Sequence, residues 1–232
     1  MAAQLFGSLI IYLLNVKNYF IIIIYRVIEM VMHIVLGIMD YSFVILEMEK
    51  NMMKKKMEIK EIVVPAFMTA VMAVLSPISI PIGPVPISLG TFSVCLSATV
   101  LGKNLSTLAY LLYLLLGICG LPVFSNYGAG LEKLLGPTGG YLIGMIFLSY
   151  LGGLGIELFP KKLVMQYLFF FFGMLLCYIL GTAWLQRLMS LSFYKALSVG
   201  VIPFIIPDCI KLFLALWLGK RLKKSLSQWK SA

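Results

Sequence analysis

Charge is what this chain has least of. Asp, Glu, Lys and Arg together make up 12% of its 232 residues, against about 25% in ordinary soluble domains. Four stretches carry no charge at all: 62–102, 104–131, 134–156 and 163–186. Apolar runs of about 18 residues or more are candidate transmembrane helices, so a soluble globular fold is excluded. A membrane β-barrel is excluded as well. It would need alternating polar residues and turns about every ten positions, and no such alternation is present. What remains is an all-α integral membrane protein.

The chemical inventory is equally thin. There is one histidine, His33, and no acid–base or ligand set forms around it. The four cysteines, Cys95, Cys119, Cys177 and Cys209, stand singly in apolar surroundings without paired spacing. They read as small apolar filling, not as disulfide or metal ligands. Gly102-Lys103 and Gly219-Lys220 lack the rest of a phosphate-binding loop. No Ser–His pair or paired carboxylates can be put together. The expectation is no enzyme, no metal and no cofactor. Any uphill transport then draws its energy from a partner or an ion gradient.

The net charge of +10 is no sign of a nucleic-acid partner. Its basic residues cluster just outside the apolar runs, at Lys54–Lys56 and Lys60, at Lys103, at Lys161 and Lys162, and at Lys220, Arg221, Lys223 and Lys224. Basic clusters at the ends of spans mark the cytoplasmic side of a bilayer.

Residues 1–56 are apolar but interrupted by Lys17, Arg26, Glu29, His33 and Asp40, and no clean span survives. Three readings are open for this extension: upstream translated sequence that the protein lacks, one or two extra helices, or a signal peptide. The apolar part is too long for the last and shows no small-residue cleavage site. From Met57 to the end a six-helix membrane domain is expected, with spans near 62–79, 87–101, 105–119, 137–159, 163–185 and 196–219. Lys-rich sequence before the first span and after the last puts both ends in the cytoplasm. Three connections then face outward: the proline-rich turn at 80–86, the segment 120–136 and the loop 186–195.

Three features carry the functional reading. Asp208 and Lys211 lie three residues apart in an apolar run, on one helical face, although each is costly in hydrocarbon. They form either a charge pair pinning two helices or the polar end of a ligand site. Pro207 suits a helix's first turn, so the last helix is expected to begin there, after a bent segment 203–206, with Asp208 near its N-terminus. Gly136, Gly140 and Gly144 make a bare face for close helix packing. Nearby Gly128, Gly130, Gly139 and Gly140 would equally let backbone approach a ligand, with Tyr127 and Tyr141 offering rings and hydroxyls. Ala66 and Ala70 make a small-residue patch on the first helix.

Taken together, Ile80-Pro81-Ile82-Gly83-Pro84-Val85-Pro86-Ile87-Ser88-Leu89, Gly120-Leu121-Pro122-Val123-Phe124, Leu135-Gly136-Pro137-Thr138-Gly139-Gly140-Tyr141 and Asp208-x-x-Lys211 resemble the BioY family. These are the biotin-specific substrate-binding (S) components of energy-coupling-factor transporters. The resemblance runs from Met57 to about Lys224, leaving 1–56 without a counterpart. It implies a compact six-helix fold binding biotin near the outer face, working with a membrane coupling (T) component and two ATPases. It also implies that Asp208, Lys211, Pro86, Phe124, Asn126, Tyr127, Gly128, Thr138, Gly139, Gly140 and Tyr141 contact the vitamin, and that Ala66 and Ala70 meet the coupling protein. Gly90 stands where many members have Gln, and Pro207 where Gly or Ala is usual. Two other readings stay beside this one: an S component for a different small vitamin, and a structural bundle without a ligand.

Overall fold

The computed structural model describes residues 59–228, with side chains from 63 to 225; the expectations for 1–56 lie outside the described residues. In chain order the elements are α1 (Ile59–Leu75), β1 (Ser79–Ile80), β2 (Ile87–Ser88), α2 (Gly90–Leu101), α3 (Lys103–Ile118), a 3₁₀ turn (Ser125–Tyr127), α4 (Gly130–Leu135), α5 (Gly139–Leu158), α6 (Leu163–Met189), α7 (Phe193–Gly200) and α8 (Ile202–Gln228). Among the described residues, three stretches are long and apolar enough to cross a membrane: α5, α6, and α7–α8 over Phe193–Ser225. α1, α2 and α3 are apolar but shorter. At 1.5 Å per residue α2 reaches only about 18 Å, less than a hydrocarbon core of about 30 Å.

The early helices are short because tight turns take up the sequence between them. The three prolines at 81, 84 and 86 keep the chain extended after α1. Its two arms pair as a small antiparallel ribbon, Ser79 opposite Ser88 and Ile80 opposite Ile87. At the other end of α2, Gly102 takes φ 79°, a left-handed conformation that costs glycine little. The chain therefore reverses into α3 without a loop.

Glycine fixes the contact between α5 and α6. A Cβ on Gly144 would lie 2.6 Å from the Cα of Cys177, and one on Gly173 would lie 2.9 Å from the Cα of Leu148. Gly140 faces the Leu180 carbonyl and Trp184, while Gly181 faces the Tyr141 ring. The helices touch through backbone, as small residues allow in membranes. α3 joins them through polar links: the Tyr110 hydroxyl donates to the Leu142 carbonyl at 2.7 Å, and Ser149 Oγ donates to Ser106 Oγ at 3.0 Å.

Several boundaries differ from the sequence expectation. The first helix ends at Leu75 and the second begins at Gly90, because 79–80 and 87–88 pair as the ribbon, and the expected span 196–219 is divided between α7 and α8. Segment 120–136 holds the short helix α4, a six-residue element too brief for periodicity to reveal. α6 runs on to Met189, shrinking the loop before α7. The last helix begins at Ile202, not Pro207, and continues through Pro207 to Gln228. Asp208 therefore sits in the second helical turn, beyond the end where the helix dipole favours an acid. Its charge is met by side chains instead.

Candidate functional site

Asp208 is buried, at 2% exposure, and is surrounded by donors. Its Oδ1 accepts from Lys211 Nζ at 3.0 Å and from Thr91 Oγ1 at 3.0 Å. Its Oδ2 accepts from the Tyr178 hydroxyl at 2.8 Å. The acid is on α8, Thr91 in the first turn of α2 and Tyr178 on α6, so one carboxylate ties three helices together. Lys211 is almost as enclosed, with its side chain 13% exposed. Besides Asp208 it donates to the Ser88 carbonyl at 2.7 Å, and it lies 3.5 Å from Thr91 Oγ1. The cluster is neutral overall and hydrogen-bonded throughout, which is what burial of two charges demands.

Two small cavities, of about 50 Å³ each, adjoin this cluster beneath the proline ribbon. They share Val85, Pro86, Ser88, Tyr141 and Met145 as walls. Asp208, Lys211, Thr91, Tyr178, Cys177 and Phe204 line the first; Thr138, Ser125, Tyr110 and Tyr113 help line the second. The result is a polar floor with mostly apolar and aromatic walls, the usual composition of a small-molecule site.

A short loop borders the second cavity through Ser125. Phe124 and Gly128 bridge its ends, the Phe124 N–H donating to the Gly128 carbonyl at 3.0 Å. Asn126 and Tyr127 both adopt left-handed backbone, with φ 57° and 55°, a geometry that asparagine tolerates and tyrosine rarely takes. The turn is held to β1: the Asn126 N–H reaches Ser79 Oγ at 2.8 Å, and the Ser79 hydroxyl donates to Asn126 Oδ1 at 2.6 Å.

The expected site residues fall into three groups. Asp208, Lys211, Pro86, Tyr141 and Thr138 line the cavities. Asn126, Tyr127 and Gly128 follow Ser125 in the bordering loop and do not line the cavities themselves; the Asn126 amide is engaged by Ser79 and Tyr127 is 68% exposed. Phe124, Gly139 and Gly140 stand apart from the cavities. Phe124 is fully buried against Gly117 and edge-on to Tyr113, because its loop tucks it back into the core. Gly139 abuts the Leu134 carbonyl, and Gly140 abuts α6, so their bare faces receive protein backbone. Ala66 and Ala70 lie on a side of α1 shared with exposed Val63, Phe67 and Val74.

Sequence reasoning missed Thr91, Tyr178 and Ser88 as partners of the charge pair. Two hydroxyls in otherwise apolar helices were the available signal, but many such hydroxyls satisfy their own backbone, as Thr99 does with the Cys95 carbonyl. Among the described residues no group able to hold a metal ion assembles.

A sequence profile of the BioY family matches residues 48–228. The chain belongs to the BioY family. That match extends beyond the motifs at both ends, so residues 48–56, expected to have no counterpart, lie within it. The chain is 43% identical over 171 residues to the biotin transporter BioY of Thermotoga maritima, covering 71% of this chain and 96% of that protein. It is 39% identical over 167 residues to the probable biotin transporter BioY of Pyrococcus horikoshii, covering 72% and 98%. Its fold is similar to a crystal structure of the S-component for biotin from an ECF-type ABC transporter. There the TM-score is 0.67 and the identity 30%, over 72% of this chain and 92% of that one.

Proposed function

We infer that this chain captures biotin and carries it across the cell membrane as the substrate-specific S component of an energy-coupling-factor transporter. The observation that carries this, beside membership of the BioY family, is the buried Asp208–Lys211 cluster at the floor of a ribbon-covered cavity. Biotin offers a ureido ring with two N–H donors and one carbonyl, an apolar thioether ring and a carboxylate tail. A carboxylate suits the first and apolar walls the second. In this reading Asp208 accepts a ureido N–H. Lys211 serves the ureido carbonyl by releasing Thr91, its longest contact at 3.5 Å.

The cavities are smaller than the 300–1,000 Å³ or so of usual ligand pockets. Loading therefore requires the walls to move apart, and in this reading the 124–128 loop, tied to β1 by the Asn126–Ser79 bonds, is the part that lifts. The chain would cross the bilayer six times, α1 to α3 included, with the ribbon end outward. Lys103, Lys161, Lys162 and the Lys220–Lys224 cluster gather at the opposite end, which supports a cytoplasmic placement of both termini of the 57–232 domain. Partners would be a membrane coupling component, meeting α1 at Ala66 and Ala70, and two ATPases that supply the work.

Equilibrium binding of radiolabelled biotin to the purified chain is the test. A single saturable site is expected, weakened in Asp208→Asn and Lys211→Ala, with riboflavin and thiamine failing to compete. No saturable binding overturns the function, and wild-type affinity in both variants overturns the site.

A further inference from the structure

The Tyr178 hydroxyl occupies an acceptor position on the one group that the proposed site uses to read an N–H. An ionised carboxylate has about four such positions, two on each oxygen. On Asp208, Lys211 and Thr91 take both positions of Oδ1, and Tyr178 takes one of Oδ2. One position is left. Neither side of this arrangement can turn away easily. Lys211 is fixed from the same helix and by the Ser88 carbonyl, and Thr91 holds Oδ1 from α2. Behind the Tyr178 ring lies a third cavity, of about 180 Å³, walled mostly by apolar side chains, among them Phe171, Leu175, Ile205 and Leu212. A hydroxyl swung that way would lose its partner, at the cost of an unsatisfied buried donor.

We propose that Tyr178 is a positioning residue that sets ligand selectivity, because its bond to Asp208 leaves the carboxylate able to accept one N–H and not two. A neutral ureido ring presents a single N–H to that position and is accepted. With both Oδ1 positions taken by Lys211 and Thr91, a guanidinium could place two N–H groups on this carboxylate only by donating both to Oδ2, and it is refused because Tyr178 fills one of the two positions there. This rests on the biotin-binding reading and adds to it the cause of discrimination at the ureido end.

The probe is 2-iminobiotin, in which the ureido oxygen is replaced by an imine, giving a guanidine protonated at neutral pH. Its dissociation constant is measured beside that of biotin on the purified full chain. The wild type is expected to prefer biotin by more than tenfold. In Tyr178→Phe, which keeps the ring and frees Oδ2, that preference should fall about tenfold. In an Asp208→Asn background the same substitution should leave the ratio unchanged. Equal changes in both constants would assign Tyr178 a packing role only and overturn the proposal. So would an unchanged ratio. Wild-type protein that binds the two ligands equally overturns it without any variant. Absence of saturable biotin binding to the wild type removes the functional reading as well, whereas intact biotin binding with no ratio shift removes the Tyr178 assignment alone.

Discussion

Two acid–base pairs in this molecule use the same chemistry in opposite surroundings. Asp208 and Lys211 meet at 3.0 Å, with side chains 3% and 13% exposed. Glu157 and Lys103 meet at 3.5 Å near the other end of the bundle, with side chains 41% and 31% exposed. Glu157 also accepts from the backbone N–H of Lys103 at 2.9 Å, so it caps the N-terminus of α3, where a carboxylate is favoured. Water can replace either member of the exposed pair. In the buried pair each charge depends on the other and on Thr91, Tyr178 and Ser88. A solvated pair supports its fold locally, while a desolvated one has cost that only a tight surrounding or a ligand offsets.

The largest expected effect comes from stranding one buried charge. Lys211→Met leaves Asp208 without its cation, which should destabilise the protein by about 3–5 kcal/mol and abolish biotin binding. Thermal unfolding and radiolabelled-ligand binding check the two halves. Next, the double variant Asp208→Asn/Lys211→Met removes both charges. It should recover most of the lost stability, since replacing a whole buried pair is often neutral, yet still fail to bind biotin. Recovered binding would reduce the pair to a structural pin and erase the contrast with Glu157–Lys103. Smaller again is Glu157→Gln, expected to cost about 1 kcal/mol or less with an unchanged biotin dissociation constant. The smallest effect separates the pairs by salt. Near 1 M salt, where the Debye length is about 3 Å, the Glu157→Gln difference should shrink in unfolding measurements and the Lys211→Met difference should persist.

Much of this was legible in the chain. Charge is so scarce that Asp208 and Lys211 announce themselves, and the prolines at 81, 84 and 86 forbid a helix wherever they fall. Helix ends near Gly102 and Phe159 could be read from glycine, lysine and proline. Other features depended on distant partners. Tyr178 resembles any hydroxyl in an apolar helix until α8 brings an acid to it. Phe124 looks like a pocket wall until Gly117 opens a space for it in the core. Pro207 looks like a helix start, because sequence shows its missing N–H but not the packing that carries α8 through it. The 136–144 glycines permitted two readings, and only the position of α6 shows that Gly140 and Gly144 serve its backbone.

That glycine seam also governs how the molecule responds to its solvent. Among lipid tails, burying one apolar side chain against another gains little over leaving it in hydrocarbon, so much of the bundle's cohesion varies with bilayer thickness or detergent. α5 and α6 touch backbone to backbone at Gly144 and Gly173, leaving no gap for an acyl chain to enter. Tyr141, which packs against Gly181 across that seam and walls both cavities, is therefore held by contacts that depend on backbone fit more than on apolar burial.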